Sequence, residues 1–170
     1  MKNILALIIL ALAFVSCTEE KRNVTEDNKL SFEKNYYHQA IDTSLMDMKT
    51  IYLPAYPVIH HRYVNTYGLT VTISLRNTSL KDTLFVTKGD YYNTLGDKIS
   101  NNIDKPIFLR PLETVEIVVA ETDNTGGTGA NFIFDYYSQS KSTPLFQAVM
   151  ISTAGQQGIS FVTEGVVISE

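Results

Sequence analysis

Residues 69–75 have the sequence LTVTISL, and the alternation within them predicts the fold class of the chain. Apolar and hydroxyl side chains alternate, so that one face of an extended chain carries Leu69, Val71, Ile73 and Leu75. Because successive side chains of a strand point to opposite faces, this period of two predicts a β-strand with one buried side. The RNTS that follows predicts a turn, since Asn and Ser side chains bond readily to nearby backbone.

Similar short runs occur along the rest of the chain, separated by segments rich in turn-forming residues. They are KTIYLPAYPVI (49–59), DTLFVTKGDYY (82–92), PIFLR (106–110), ETVEIVVAE (113–121), ANFIFDYY (130–137), LFQAVMIS (145–152) and GISFVTEGVVIS (158–169). Seven to eight short strands with such links predict an all-β, antiparallel β-sandwich, immunoglobulin-like or fibronectin-III-like. About 120 residues suffice for one core and not for two domains.

Three prolines indicate where some strands lie in their sheets: Pro54, Pro57 and Pro106. Proline cannot donate to a sheet ladder, so it favours edge strands and the first residues of strands. The stretch IYLPAYPVI is therefore predicted to be an edge strand interrupted by bends.

The N-terminus, MKNILALIILALAFVSC, has the organisation of a secretory signal peptide. Lys2 precedes an uncharged apolar run from Ile4 to Val15, and Cys17 is the only cysteine of the chain. The cysteine resembles the acylated residue of a bacterial lipobox, although Phe14 stands where Leu or Val is usual. We therefore predict a lipoprotein signal peptide over residues 1–16 and a membrane anchor of acyl groups on Cys17. A transmembrane helix is the alternative, but the apolar run is short for a bilayer.

Residues 17–47 are predicted to be the lipidated cysteine and a polar tether, and residues 48–170 the β-sandwich domain. As a flexible coil the tether would reach roughly 30 Å. The TEEK after Cys17 resembles the acidic signals that carry some outer-membrane lipoproteins to the cell surface. We therefore expect a cell-envelope protein, an outer-membrane lipoprotein on the periplasmic face or the cell surface.

Charge and composition exclude several kinds of partner. Residues 1–16 hold one lysine and no acid, which leaves 13 Lys and Arg against 18 Asp and Glu. A mildly acidic chain with scattered charges has no cluster of Lys and Arg that would bind nucleic acid. Once Cys17 is acylated, no thiolate remains for catalysis or metal binding. His60 and His61 point to opposite faces of a strand and His38 lies in the tether, so we expect no metal site and no cofactor.

Two functional interpretations exist for the glycine-rich stretch AETDNTGGTGANFIFDYY (120–137), a phosphate-binding loop and a cation site. A dinucleotide or phosphate loop needs a helix directly behind the glycines, but NFIFDYY alternates as a strand. We therefore predict a turn between strands, in which Asp123 and Asn124 bond nearby backbone amides. A cation held by Glu121 and Asp123 is the alternative.

Tyrosines occur in three adjacent pairs: Tyr36 and Tyr37, Tyr91 and Tyr92, Tyr136 and Tyr137. In a strand, one member of each pair faces inward and the other outward. The inward rings supply bulk to a core without tryptophan, and the outward rings are candidates for a contact surface.

The order of several segments resembles a known family: YLPAYPVI, VTISLRNTS, GDYYNTLGDKI, KPIFLRPLETVEIVV, DNTGGTGANFIFDY and AVMISTAGQQGISFVTEG. Over residues 49–165 the chain resembles the domain of unknown function 3124 family, uncharacterised bacterial exported proteins. GGTGANF and GQQGISF are the most specific pieces. The resemblance implies a compact extracytoplasmic domain and supplies no catalytic residue.

Taken together, the sequence predicts a non-catalytic binding or interaction domain whose ligand is an unknown protein or glycan. Rigid sheets usually carry binding residues on their loops, so the working surface is expected where DNTGGTG, TAGQQG and GDYYNTLGD meet. The candidate binding residues are Asp123, Asn131, Tyr92 and Gln157.

Two other functions stay open at this point. An envelope hydrolase would use two acids from Asp90, Asp123 and Asp135, and would need their carboxyls about 5–10 Å apart in an open cleft. Enzyme activity is not expected, because the chain has no Gly-x-Ser-x-Gly elbow and no spare cysteine. A structural subunit of a surface assembly would instead expose an apolar edge or patch.

Overall fold

The computed structural model describes residues 33–139, 143–155 and 157–169. These residues form antiparallel sheets that pack as a sandwich, which confirms the predicted all-β class. The strands within them are β1 (Asp47–Ala55), β2 (Val58–His61), β3 (Asn65–Gly68), β4 (Thr70–Arg76), β5 (Leu84–Tyr92), β6 (Lys98–Ile103), β7 (Ile107–Leu109), β8 (Thr114–Val119), β9 (Ala130–Ser138), β10 (Leu145–Ser152), β11 (Ile159–Glu164) and β12 (Val166–Ser169). Over the same residues, no helix is long and apolar enough to cross a membrane.

The described strands outnumber the seven or eight expected, because two predicted runs each form two strands. The first run divides at Tyr56 and Pro57, between β1 and β2. The last divides at Gly165, where the chain passes from one sheet to the other. A Cβ at Gly165 would lie 2.5 Å from Ile51 Cγ2, so only a residue without a side chain fits at this crossing. Strands β3 and β6 lie outside the predicted runs, since NTYG and KISNNI are largely polar.

The two main sheets have a partly immunoglobulin-like order. The six-stranded sheet runs β12-β1-β9-β5-β6, with β7 also paired to β5, and the four-stranded sheet runs β11-β10-β4-β8. The orders β1-β9-β5 and β4-β10-β11 match strands B-E-D and C-F-G of an immunoglobulin sandwich. The edges differ, because the C-terminal β12 takes the place of strand A beside β1. Strands β2 and β3 form a separate hairpin.

The stretch LTVTISL lies where the alternation predicts, at the centre of the core. Its four apolar side chains are fully buried, each 0% exposed. Ser74 on the other face is also buried, and its hydroxyl donates to Glu116 Oε1 at 3.3 Å. Burial of such side chains stabilises the folded state by about 1.5–3 kcal/mol each.

Aromatic rings fill the core opposite this strand, in a chain that has no tryptophan. The rings of Phe132 and Phe134 are 5.7 Å apart and nearly parallel. Tyr91 stacks on Phe132 at 4.5 Å, and Phe146 of the other sheet meets Phe134 edge-on at 5.4 Å. We call Tyr91, Phe132, Phe134 and Phe146 the aromatic column. Each such contact adds about 0.5–1.5 kcal/mol beyond the buried area.

Two tyrosine pairs follow the predicted inward and outward alternation. Tyr91 and Tyr136 are buried, at 3% and 2% exposure, whereas Tyr92 and Tyr137 are half-buried on the outer face of the six-stranded sheet. The inward rings therefore supply core volume.

The predicted edge position of the first run is wrong. Strand β1 lies inside the six-stranded sheet, between β12 and β9. The register of β12 covers only Thr50, Ile51 and Tyr52 of β1, so Pro54 lies beyond that partner strand. Proline has no amide hydrogen to donate. It is tolerated at this position because β12 has no residue opposite it that would need that hydrogen bond.

The N-terminal segment formed by residues 33–37 packs on the sandwich, although it falls within the predicted tether. Asn35 is buried, and its Nδ2 donates to Phe108 O at 2.9 Å and to Glu113 Oε1 at 3.2 Å. Tyr37 N donates to Pro106 O, and its ring meets Phe85 edge-on at 4.9 Å. The folded part therefore includes these residues. The predicted signal peptide, Cys17 and residues 18–32 lie outside the described residues.

Asn77 ties together two connections at the same end of the sandwich as residues 33–37. It is 6% exposed, and its Nδ2 lies 2.8–3.1 Å from the carbonyl oxygens of Asp82, Leu109 and Arg110. Its Oδ1 accepts the amide hydrogen of Ser79. One amide side chain thus joins the β4–β5 loop to the turn after β7.

We expect Asn77→Ala to lower the free energy of unfolding by about 2–3 kcal/mol, because it leaves buried carbonyl and amide groups unpaired. Asn77→Asp should cost more, since a carboxylate would face three carbonyl oxygens. Urea unfolding measures both. The exposed Asn124→Ala is the control and should change stability by less than about 0.5 kcal/mol. Equal losses for Asn77→Ala and Asn124→Ala would contradict the role assigned to Asn77.

Candidate functional site

The loops that follow β1, β5, β8 and β10 lie at one end of the sandwich, which we call the loop-rich end. Thr94 Oγ1 donates to Gly126 O at 3.0 Å and accepts from Gly129 N at 2.9 Å, which joins the β5–β6 turn to the glycine loop. Ser152 Oγ donates to Glu121 Oε1 at 3.3 Å, which joins the end of β10 to the start of the β8–β9 connection. The three loops named from the sequence therefore lie at the same end of the sandwich.

The glycine loop is a turn between strands, as predicted. One turn of 3-10 helix, Gly127–Gly129, leads directly into β9, so no α-helix stands behind the glycines. Gly126 is buried, and a Cβ at this position would overlap the Tyr91 hydroxyl and lie 2.8 Å from Ala130 Cβ. The loop needs glycine here because the end of the aromatic column occupies the space of a side chain.

Tyr91 carries a buried phenol beneath this loop. Within the part of the chain that the structure describes, its hydroxyl has no hydrogen-bond partner. Burial, and secondly the negative charge of Asp123, raise the pKa of Tyr91 to about 12. The phenol is therefore uncharged near neutral pH and contributes packing rather than a reactive oxygen.

Asp123 holds the glycine loop in shape. Its Oδ1 accepts hydrogen bonds from Thr125 N at 3.0 Å and Thr125 Oγ1 at 2.6 Å. The predicted bond from this carboxylate to the backbone is confirmed. Among the residues described, no group of three His, Cys, Asp or Glu side chains is arranged to hold a metal ion.

The four candidate binding residues do not form one site. Tyr92 and Asn131 lie directly opposite each other in the β5–β9 pairing, half-buried on the outer face of the six-stranded sheet. Asp123 bonds within its own loop. Gln157 alone is exposed beside a cleft.

That cleft lies between the β2–β3 hairpin and the β10–β11 loop, and we call it the hairpin cleft. It is open to solvent, has a volume of about 450 Å³ and is lined chiefly by His61, Tyr67, Ser152, Gln157, Gly158 and Ile159. The rings of His61 and Tyr67 lie 4.8 Å apart at an angle of 42° and form one wall. Ser152, which is 5% exposed, lies in the opposite wall.

The hairpin that carries this wall was missed in the sequence because its turn breaks the usual composition. Its three-residue tip has two non-glycine residues with positive φ, Arg62 at 48° and Tyr63 at 66°. Such conformations cost of order 1–3 kcal/mol each and are normally given to Gly, Asn or Asp. Tyr63 is 94% exposed at the tip. The strained turn presents an aromatic ring to solvent beside the cleft.

Two of the three acids considered for catalysis come together elsewhere, on the outer face of the six-stranded sheet. Lys88 Nζ lies 3.8 Å from Asp90 Oδ2 and 3.7 Å from Asp135 Oδ2, and Lys98 Nζ lies 2.7 Å from Asp90 Oδ1. Thr50 Oγ1 donates to Asp135 Oδ1 at 2.8 Å. The Asp90 side chain is only 4% exposed, so at this position the acids form a closed ion-pair cluster and not an open cleft.

An exposed apolar edge, which a structural subunit would need, runs along the last two strands. Val162 of β11 is 53% exposed, and Val166 and Ile168 of β12 are 61% and 58% exposed. Strands β11 and β12 are also the outermost strands of their sheets on this side. This exposed edge therefore supports the alternative function, that of a structural subunit of a surface assembly.

Comparisons with known proteins add a family but no activity. The family model described as a protein of unknown function (DUF3124) matches residues 48–168. No curated protein matches the chain. A solved structure, Thermotoga maritima 1070, aligns with 69% of this chain and 92% of its own, with 7% sequence identity and a TM-score of 0.39.

We expect Gly126→Ala to destabilise the protein by about 1–3 kcal/mol, because the added methyl group overpacks a site filled by the Tyr91 hydroxyl. In a Tyr91→Phe background the same change should cost about 1 kcal/mol less, since the colliding atom is gone. Tyr91→Phe alone should be neutral or stabilising, because the lost hydroxyl has no partner. A double-mutant cycle by urea unfolding measures the coupling; purely additive effects would contradict the contact.

The raised pKa of Tyr91 predicts a difference in alkaline stability. The folded state keeps this phenol protonated up to pH about 12, whereas the unfolded chain ionises near 10. The stability that this contributes is complete below pH 10 and is lost as the pH rises towards 12. Wild type should therefore lose more unfolding free energy than Tyr91→Phe between these pH values, with Tyr92→Phe as the control. Parallel curves for wild type and Tyr91→Phe would be the contrary result.

Proposed function

The chain belongs to the DUF3124 family of proteins of unknown function, and we propose that it is a lipid-anchored binding protein of the bacterial cell envelope. Its β-sandwich would act without catalysis, and its loop-rich end would be the working surface. The ligand would be a protein or a glycan outside the inner membrane.

The observation that carries the proposal is the placement of residues 33–37 relative to the loops. These residues contact Pro106, Phe108 and Glu113, beside the start of β5, whereas the glycine loop lies beyond its end. Nine residues of β5 separate the two places, about 30 Å at the rise of a strand. The chain that leads back to Cys17 thus joins the sandwich at the end opposite the loops. A lipid on Cys17 would leave the loop-rich end facing away from the bilayer.

The N-terminal sequence supports the anchor. A short cationic start, an apolar run and a single cysteine after Ser16 are typical of lipoprotein signals. Acyl chains contribute roughly 0.8 kcal/mol per buried methylene, so two or more chains hold a protein stably on a membrane. The acidic TEEK after the cysteine favours the outer membrane, on its periplasmic face or at the cell surface.

The chemistry of the described side chains favours binding over catalysis. The two carboxylates that meet, Asp90 and Asp135, are paired with Lys88 and Lys98. The buried Tyr91 keeps its proton at neutral pH. By contrast, the hairpin cleft offers an open surface with aromatic and polar groups.

We expect Cys17→Ala to move the chain from the membrane fraction to the soluble fraction or to leave its signal peptide uncleaved. The full chain is expressed in a bacterium with metabolic labelling by an alkynyl fatty acid, and Ser16→Ala serves as the matched control. Labelled, membrane-bound Cys17→Ala would overturn the lipid anchor. Unlabelled but membrane-bound Cys17→Ala would show that residues 4–15 hold the chain instead.

The orientation is tested with two single thiols in proteoliposomes of the acylated protein. Leu95 at the loop-rich end and Leu80 at the opposite end are both highly exposed. Cys17, the only cysteine of the sequence, would be blocked by lipid in the acylated protein. Leu95→Cys and Leu80→Cys are labelled with a fluorophore. Quenchers attached to lipid headgroups should then reduce emission more at position 80, because that end lies nearer the bilayer. Equal quenching, or stronger quenching at position 95, would contradict the proposed orientation.

A further inference from the structure

We propose that the hairpin cleft binds a neutral saccharide, with one sugar ring stacked on Tyr67 and its hydroxyl groups bonded to the opposite wall. This assignment rests on the proposed function, since it names the ligand class of the loop-rich end. The cleft volume of about 450 Å³ falls within the range of about 300–1,000 Å³ for small-molecule sites.

The aromatic wall is rigid enough to serve as a stacking platform. Tyr67 lies opposite Ile59 in the β2–β3 ladder, and its ring rests against the half-buried His61 ring. At the base of the hairpin, Leu69 N donates to Pro57 O at 2.7 Å. Tyr67 remains 39% exposed, so one part of its ring is free for a ligand. The electron-rich face of such a ring attracts the C–H groups on the face of a pyranose.

The opposite wall supplies hydrogen-bonding groups from Ser152 and Gln157. Ser152 is held by its bond to Glu121 Oε1 and by the amide of Ala154, which donates to Ser152 Oγ at 3.3 Å. The Gln157 side chain is exposed at the rim and brings both a donor and an acceptor. Sugar hydroxyl groups need this mixture, because each both donates and accepts.

The charge of the residues that line the cleft narrows the chemical class of the ligand further. The described residues that line the cleft include no Lys, Arg, Asp or Glu. A phosphate or a uronic acid would find no Lys or Arg in this described lining and would lie near the Glu121 carboxylate, which accepts a hydrogen bond from Ser152. The polar atoms of Ser152 and Gln157 equally disfavour a purely apolar ligand. A neutral polar molecule with an apolar face fits both walls.

A peptide bound as an added strand fits this cleft less well. Strand addition needs a row of unpaired backbone groups at regular spacing. The wall formed by the β10–β11 loop contains Gly155 and Gly158 with φ of 78° and 62°, so its backbone turns instead of extending. The free edge of β11 begins only after this loop, at Ile159.

Saturation-transfer difference NMR tests the assignment with the full chain in a detergent that has no sugar headgroup. The probes are maltotriose, cellotriose and tri-N-acetylchitotriose, with trigalacturonate as the charged comparison and an extended uncharged decapeptide as the peptide comparison. We expect saturation at ring C–H protons of at least one neutral trisaccharide, and none for trigalacturonate.

Matched variants locate the site. Tyr67→Ala should weaken binding about tenfold, Tyr67→Phe should bind as wild type, and Tyr63→Ala, an exposed tyrosine of the same hairpin outside the cleft lining, should have no effect. Unchanged melting temperatures for the variants exclude loss of the fold. Equal effects of Tyr67→Ala and Tyr63→Ala would overturn the site.

Failure of this inference is separable from failure of the proposed function. Absence of saturation from every neutral trisaccharide overturns the saccharide assignment, and saturation of the decapeptide alone replaces it by a peptide site. In both cases the lipid anchor and the orientation stand or fall on the acylation and quenching experiments.

Discussion

The stacking of Tyr91, Phe132 and Phe134 against Phe146 is the interaction on which the rest of this protein depends. It joins the two sheets in the absence of tryptophan, because Phe146 of the four-stranded sheet meets Phe134, the last of three stacked rings of the other sheet. The column ends at the Tyr91 hydroxyl, directly beneath Gly126. The core therefore fixes the position of the glycine loop, which in turn is bonded to the β5–β6 turn through Thr94.

Much of the architecture was predictable because it depends on a local period of two. The alternation in LTVTISL gave the correct buried face, and LFQAVMIS is β10 residue for residue. The sheet order was not predictable, because it depends on contacts between distant segments. For the same reason, the passage of the chain between the two sheets at Gly165 was not predictable. A glycine is required there only because Ile51 approaches it in space.

In the candidate site, too, local contacts were predictable from the sequence and contacts between distant segments were not. The role of Asp123 was predictable, because its partner Thr125 is two residues away. The hairpin cleft was not, since it brings His61 and Tyr67 against Ser152 and Gln157 from the other half of the chain. The hairpin tip, residues 62–64, also lacks the glycine or asparagine that signals a tight hairpin. Tyr92 and Asn131 were correctly placed near the loops in sequence but face outward from the sheet in space.

The antiparallel register of β1 and β9 has a mechanical consequence if Cys17 is acylated as proposed. A ligand pulling on the loop-rich end while lipid holds the N-terminus would apply tension along the strands, parallel to their axes. The nine cross-strand pairs from Asp47 to Ala55 would then resist in shear together, and not peel apart one after another.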